Sequence, residues 1–487
     1  MSVLSRVSAN GMTSTVILGC ASLCVAPVYA VGLMITPPSK MTGIANAGQA
    51  VYKGSTTVAI TNPAAMSLNK EKFMGGSLTV LFSEMEFNEG WDCSAVDSCA
   101  ESNIGHITAI PTGGIIKPMD NNFTWGFGIG AVSGSGLDYG EEWLGRTLIT
   151  ENEVQVLGIT NALSYQVNDG FSIGASLIIM YGEVMQEMDM PPLYDIEPGT
   201  LEDMFQLGID LRLCASLFDS PAGKLSCASN VFNSSGLSAD DITNGLAQVN
   251  DLAGYINGDQ GTPVELEGDD IAAAAVIGFV YQFNDEHRIG MSYSHLTDFT
   301  FEGDATIRGP LLSNVDYQKQ HMTMSWDMPD KFIVSGAHML TSKLELFWDY
   351  EHVFYDVFDS NDIRIDGYPV ISVDRNFKNA SRYALGAEYQ LDDAWKLQLG
   401  ASMDESPVDD EDRNPDIPVS EIYKISIGGI HQLTQDLEVS GFFLYEFLGD
   451  GDIERLASLN GHEIGDSITG DYDRQIFVLG SSFNYRF

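Results

Sequence analysis

IFVLGSSFNYRF, residues 476–487, closes the chain, and its alternation decides the fold. Phe477, Leu479, Phe483, Tyr485 and Phe487 fall on one face of an extended strand; Val478, Gly480, Ser482, Asn484 and Arg486 fall on the other. A strand that is greasy on one face and mainly polar on the other suits a wall between lipid and a lumen. The same pattern recurs upstream. Leu344, Leu346, Trp348 and Tyr350 alternate with Glu345, Phe347 and Asp349, and Trp395, Leu397, Leu399, Ala401 and Met403 with Lys396, Gln398, Gly400 and Ser402.

Short polar turns separate such runs: Pro118-Met119-Asp120-Asn121, Asn168-Asp169-Gly170, Asn284-Asp285-Glu286, Thr341-Ser342, Asp392-Asp393 and Thr434-Gln435-Asp436. Much longer acidic connections lie between them, which places tight turns at one rim and long loops at the other. Strands around every turn number about fourteen, an even count that lets the first and last pair antiparallel. They cover 73–87, 104–117, 123–134, 152–167, 171–187, 270–283, 287–302, 322–340, 343–357, 380–391, 395–405, 420–432, 436–448 and 473–487. The fold class is therefore all-β, a transmembrane antiparallel barrel spanning 73–487. Beyond the amino-terminus the longest apolar run, 271–280, is strand length and far short of the roughly 20 residues of a spanning helix. An open sheet in lipid would leave its edge unpaired, so the wall must close.

Residues 1–30 read as an export signal: Arg6, an apolar core over 16–25, and Val28-Tyr29-Ala30 as the cleavage site. Leu18-Gly19-Cys20 offers a competing lipoprotein site, with little apolar core before it. Cleavage after Ala30 leaves Cys93, Cys99, Cys214 and Cys227, whose short separations favour the sequential disulfide pairing in an oxidising compartment. Residues 31–72, rich in Gly, Ala, Thr and Pro, are too few for an independent core and read as a plug inside the lumen. A long connection, 188–269, carries an amphipathic helical pattern after Ser238 with Ile242, Leu246, Val249, Leu252 and Ile256. It either lines an external apolar groove or packs down its own loop.

The net charge of −44 excludes nucleic acid as a partner. It favours solubility, or cation attraction at a lumen mouth or at lipopolysaccharide. No catalytic constellation stands out: Ser133-Gly134-Ser135-Gly136 lacks the spacing of a nucleophile elbow. The cluster Asp404, Glu405, Asp409, Asp410, Glu411 and Asp412 has no fixed-position calcium-loop signature and reads as a solvated loop. No metal and no cofactor are expected.

Several segments resemble the FadL family of outer-membrane transporters for long-chain fatty acids and other hydrophobic compounds. Gly43-Ile44-Ala45-Asn46-Ala47-Gly48 and Thr61-Asn62-Pro63-Ala64-Ala65-Met66 are similar to its amino-terminal plug. Trp125-Gly126-Phe127-Gly128 is similar to its third strand. Met328-Pro329-Asp330, the run 383–389, Asp404-Glu405-Ser406-Pro407-Val408, Ile417-Pro418 and the terminal Phe483-Asn484-Tyr485-Arg486-Phe487 follow in family order. A terminal Phe also resembles the assembly signal of outer-membrane barrels.

The resemblance implies a monomeric barrel among outer-membrane lipid and lipopolysaccharide, plugged by 31–72, that passes a hydrophobic small molecule sideways through a gap where the third strand kinks. Gly43, Gly48, Asn62, Pro63 and Ala64 would form the plug and gap edge, with Gly126, Gly128 and Gly130 relaxing the third strand. Fatty-acid members place basic residues in the lumen to hold a carboxylate; the matching positions here fall near Glu183 and Val373, which are not basic. Arg375, Lys378 and Arg382 could substitute. A neutral aromatic or aliphatic hydrocarbon is the competing ligand, and an outer-membrane lipid hydrolase or an open porin the rival function.

Overall fold

The computed structural model describes residues 36–89, 103–140, 143–190, 262–308, 317–368, 370–449, 451–459 and 462–487. The export signal, the cysteine pairs and the helical pattern after Ser238 lie outside the described residues. Fourteen antiparallel strands close into a barrel. They are β1 Phe73–Glu89, β2 Ile107–Pro118, β3 Phe123–Asp138, β4 Glu151–Gln166, β5 Phe171–Met190 and β6 Thr262–Gln282. Next come β7 His287–Leu296 with Phe299–Arg308, β8 Tyr317–Trp326 with Lys331–Thr341, β9 Leu344–Val353 with Ser360–Ile365, and β10 Ile371–Asp374 with Ala380–Gln390. β11 Trp395–Asp404, β12 Ile422–Gln432, β13 Leu437–Leu448 with Gly451–Leu459, and β14 His462–Arg486 complete the wall.

Pairing of β1 with β14, from Phe73 opposite Arg486 to Glu89 opposite Gly470, removes the sheet edge. The predicted tight turns all lie at one rim, the turn end. Asn121 and Asn122 take φ of 63° and 64° in the β2–β3 turn, a left-handed conformation that asparagine tolerates. Outward-facing Leu177, Ile277, Leu399 and Leu479 are each more than half exposed and belong to an apolar belt around the barrel. A belt of that extent is stable only against hydrocarbon.

Two features differ from the sequence expectation. Strands continue past the belt, because above the lipid the outward positions become charged while the inward ones stay apolar. Val264 and Leu266 are buried between Glu265 and Glu267, so β6 begins at Thr262 and β5 runs to Met190, inside the stretch read as loop. The lumen, moreover, carries large apolar clusters in its loop half. On β14, Ser482 and Asn484 face the lumen near the turns, whereas Ile476 and Val478 are buried in an apolar cluster toward the loops. That cluster also takes in Leu81, Ile110, Leu137 and Leu444, and a second one spans Val184, Phe299, Phe301, Trp326 and Phe358 on the opposite wall.

Residues 36–72 lie inside the turn half, almost wholly buried. The polar inner face there exists to bind their backbone. Ala45 N donates to Ser426 Oγ at 2.7 Å, Ala50 N to Ser335 Oγ at 2.9 Å, and Arg288 Nε to Val51 O at 2.8 Å. Lys40 Nζ reaches Glu438 at 2.6 Å, and the Tyr52 hydroxyl donates to Glu388. Each neutral bond nets only about 1 kcal/mol, so the segment is held by many replaceable contacts as well as by its apolar cluster around Met41, Ile44 and Met66.

Candidate lateral opening and lumenal cavity

β3 is where the wall changes. Its pairing with β2 runs from Pro118 opposite Thr124 to Gly113 opposite Ile129 and then stops. Its pairing with β4 continues to Asp138 opposite Glu151, with a bulge between Ala131 and Ser133 that leaves Val132 as the extra residue. A bulge bends the strand and raises its twist, here turning β3 inward so that Ala131 and Leu137 join the lumenal apolar cluster. In the sheet ladder β2 residues 107–112 pair with β1 and not with β3. Beyond that gap Asp138 N, at the end of β3, donates to O of Ile104, three residues ahead of β2, at 3.1 Å. The result is a window in the β2–β3 ladder along residues 130–137.

The amino-terminal segment borders this window. Pro38 O accepts from Ser77 Oγ and Thr112 Oγ1, both at 2.8 Å, and a Cβ at Gly130 would lie 3.6 Å from Pro37 Cβ. Lower on β3, a Cβ at Gly126 would stand 2.2 Å from Met66 Sδ, so glycine there permits close approach of the segment. Gly128 faces Ile60. Gly43 packs on Gly428, and Gly48, at φ +83°, packs on Phe347 of β9. Asn62-Pro63-Ala64 sits one wall section away from the window. Asn62 is fully buried; its Nδ2 donates to Ala50 O at 2.7 Å and to Phe279 O of β6 at 3.1 Å, and its Oδ1 accepts from Ala64 N. The amide therefore ties the segment to β6 rather than to the kinked β3. Pro63 starts the 3-10 turn Pro63–Leu68, where its fixed φ and missing N–H cost nothing.

Above the segment lies a cavity of about 160 Å³. Leu81, Ile110, Leu444, Ile476 and Val478 line it from β1, β2, β13 and β14, and Glu351, Arg382, Asp404, Lys424 and Glu446 continue the same lining along β9 to β13. Of the three basic residues singled out in the sequence, only Arg382 lines it. Arg382 is already committed: Nε lies 3.3 Å from Asp404, Nη1 within 4 Å of Asp349 and Glu351, and Nη2 donates to Ala45 O. Arg375 is buried elsewhere, with both terminal nitrogens 2.6 Å from the Asp416 carboxylate and Nε bonded to Asn361. Lys378 is exposed on the rim and pairs with Asp409, a hydrogen bond that raises its pKa. Glu183 faces outward, hydrogen-bonded by Tyr181, so that position contributes nothing to the lumen.

The acidic connection after β11 is only half a solvated loop. Asp409, Glu411 and Asp412 converge at its exposed turn. Residues 413–420 fold down into the mouth and are buried. Tyr139, just past the end of β3, donates to Pro415 O at 2.7 Å, Asn152 of β4 to Asp416 O at 2.9 Å, and Arg413 Nε to Val419 O at 2.8 Å. The sequence reading missed this roof, as it missed the inward-facing Lys424 and Arg474. Carrying the alternation of residues 476–487 two positions further back would have placed Arg474 inside.

Residues 23–487 match the family described as outer membrane protein transport protein (OMPP1/FadL/TodX). The chain belongs to this family. Among similar FadL/TodX proteins, outer membrane protein P1 of Haemophilus influenzae is 23% identical over 420 residues, covering 83% of each chain. The long-chain fatty acid transport protein of Escherichia coli K12 is 19% identical over 393 residues, covering 78% of this chain and 79% of that one. A solved FadL homologue from Pseudomonas aeruginosa superposes with a TM-score of 0.73 at 16% identity, covering 94% of this chain and all of that one. The Pseudomonas putida toluene transporter TodX gives 0.63 at 14% identity, covering 93% and 99%. The chain is thus an outer-membrane transporter of the FadL/TodX family for hydrophobic molecules.

Proposed function

We propose that the protein takes up long-chain fatty acids passively, with lateral exit through the β2–β3 window. The observation that carries this is the apolar cluster of the loop half, which ends on one side at the interrupted ladder and below at a segment held by replaceable hydrogen bonds. A greasy molecule leaving the sugar layer gains at each step by staying on apolar surface. Straight passage would force it through the polar turn half; sideways passage delivers it to lipid. In this reading the long loops face outward and residues 31–72 are the plug, whose rearrangement clears the cavity. The barrel works as a monomer among outer-membrane lipid and lipopolysaccharide.

A fatty acid is favoured because cationic groups reach the loop half of the lumen, and relatives named as long-chain fatty acid transport proteins support it. Uptake of neutral hydrocarbons by the same route is the second reading, supported by the neutralised state of Arg382 and by structures titled toluene transporters. The test is uptake of labelled oleate and of a labelled alkane by cells lacking other such channels. Asn62→Ala with Pro63→Ala should impair whichever substrate the wild type carries, while the barrel keeps its heat-modifiable mobility on gels. Normal uptake by that variant, or none of either substrate by the wild type, contradicts the reading.

A further inference from the structure

Along the window β2 presents a bare strand edge at the level of the lipid. Pro111 lies opposite Leu78 of β1, which is more than half exposed in the apolar belt. Backbone groups that face hydrocarbon without partners are costly, so β3 is under pressure to zip onto β2. The phase of the ladder tells which groups face the window. Ser83 N donates to His106 O at 3.2 Å, so His106, Thr108, Ile110 and Thr112 turn their N–H and C=O groups toward β1. Ile107, Ala109, Pro111 and Gly113 therefore turn theirs toward β3. At the turn end, Met119 N donates to Phe123 O at 2.8 Å, which gives the same phase. Gly113 opposite Ile129 is the last pair of the ladder, and its register continues to Pro111 opposite Ala131. That is the first position beyond the turn at which β2 has no N–H to give to β3.

We infer that Pro111 is a positioning residue of the lateral exit: its missing N–H stops the β2–β3 ladder and keeps the window from closing. The bulge in β3 does not account for the break by itself. It also falls in the β3–β4 ladder, which resumes at once and runs on to Asp138 opposite Glu151. A bulge costs a ladder one residue and pairing continues past it. Pairing with β2 does not continue, and the proline stands where it would have to. Proline within a sheet is confined to edges for this reason, and it guards an edge against further pairing. Thr112, between the last pair and the proline, is tied to the amino-terminal segment, its Oγ1 donating to Pro38 O at 2.8 Å. Movement of that segment frees the Thr112 side chain but restores no backbone donor at 111. The window therefore stays open while the segment rearranges. The inference rests on the reading of the window as the exit, and names what holds it open.

Pro111→Val supplies the missing N–H in a residue suited to a lipid-facing strand, with folding checked by heat-modifiable mobility. Pro111→Ala supplies the same N–H with less bulk and takes its place if the valine variant does not fold. Two measurements on the full-length barrel separate the role of the residue from the route. Hydrogen exchange of the amide at position 111 reports the ladder; uptake of labelled oleate and of a labelled alkane reports the exit. The new amide should exchange roughly fivefold or more slowly than the Ala109 amide of the wild type, the population shift worth one neutral hydrogen bond. Uptake of both substrates should fall together by a similar factor. An amide at 111 that exchanges as fast as that of Ala109, whatever happens to uptake, overturns the inference alone and leaves the edge to the bulge. A protected amide at 111 with uptake of both substrates at the wild-type rate confirms the ladder stop and overturns the window as the exit.

Discussion

Arg375 and Arg382 show what a residue's surroundings add to its type. Both are inward, buried and close in sequence, yet one holds Asp416 at the roof and the other holds the wall of the cavity. Arg375→Ala strands a buried carboxylate and should cost about 3–5 kcal/mol, seen as a lower unfolding midpoint in detergent. Its effect on oleate and on alkane should be equal, since Arg375 does not line the cavity. Lys378→Ala, at an exposed pair on the rim, should change neither stability nor ligand preference. Selective loss of oleate in either variant would place a head-group site at the mouth. Sequence placed these cations near one another but could not say which were neutralised, because their carboxylate partners lie from 22 (Arg382 to Asp404) to 41 (Arg375 to Asp416) residues away along the chain.

The strands were legible and their upper ends were not. Alternation of greasy and polar residues marks a strand only where one face meets lipid, so the count of strands and every tight turn could be read. Above the belt, Glu265, Glu267 and Asp269 face outward from a regular strand, and a run of acids reads as loop. The bulge in β3 was equally silent, since Gly126, Gly128 and Gly130 announce a relaxed strand while the register shift falls at Val132. Nor could the roof be read: residues 413–420 have no periodicity, and their burial depends on Tyr139, Asn152 and Arg375 from distant strands. Tyr139→Phe removes the hydroxyl that serves Pro415 and meets Tyr472, and keeps the ring stacked on Trp143. It should cost about 1 kcal/mol and speed proteolysis within 405–421. An unchanged digest would mean that the roof is held by its other contacts alone.

For the molecule as a whole, three zones follow one another along the barrel axis. A polar turn half is filled by the amino-terminal segment, a half-lumen of apolar clusters and paired charges lies above it, and charged strand ends stand beyond the lipid belt. Glu183, Asp269 and Glu302 form one outward, exposed row across neighbouring strands. Among the described residues the break in the β2–β3 ladder coincides with a single extra residue in β3. Deleting Val132 leaves Ala131 opposite Leu157 and Ser133 opposite Val156 in regular register, which straightens β3 and lets it pair with β2 along its upper length. The most direct test is therefore oleate uptake by a barrel lacking Val132, checked for folding by heat-modifiable mobility. Lateral exit predicts a folded barrel that still binds oleate and has lost uptake. A folded variant lacking Val132 that takes up oleate at the wild-type rate would contradict it.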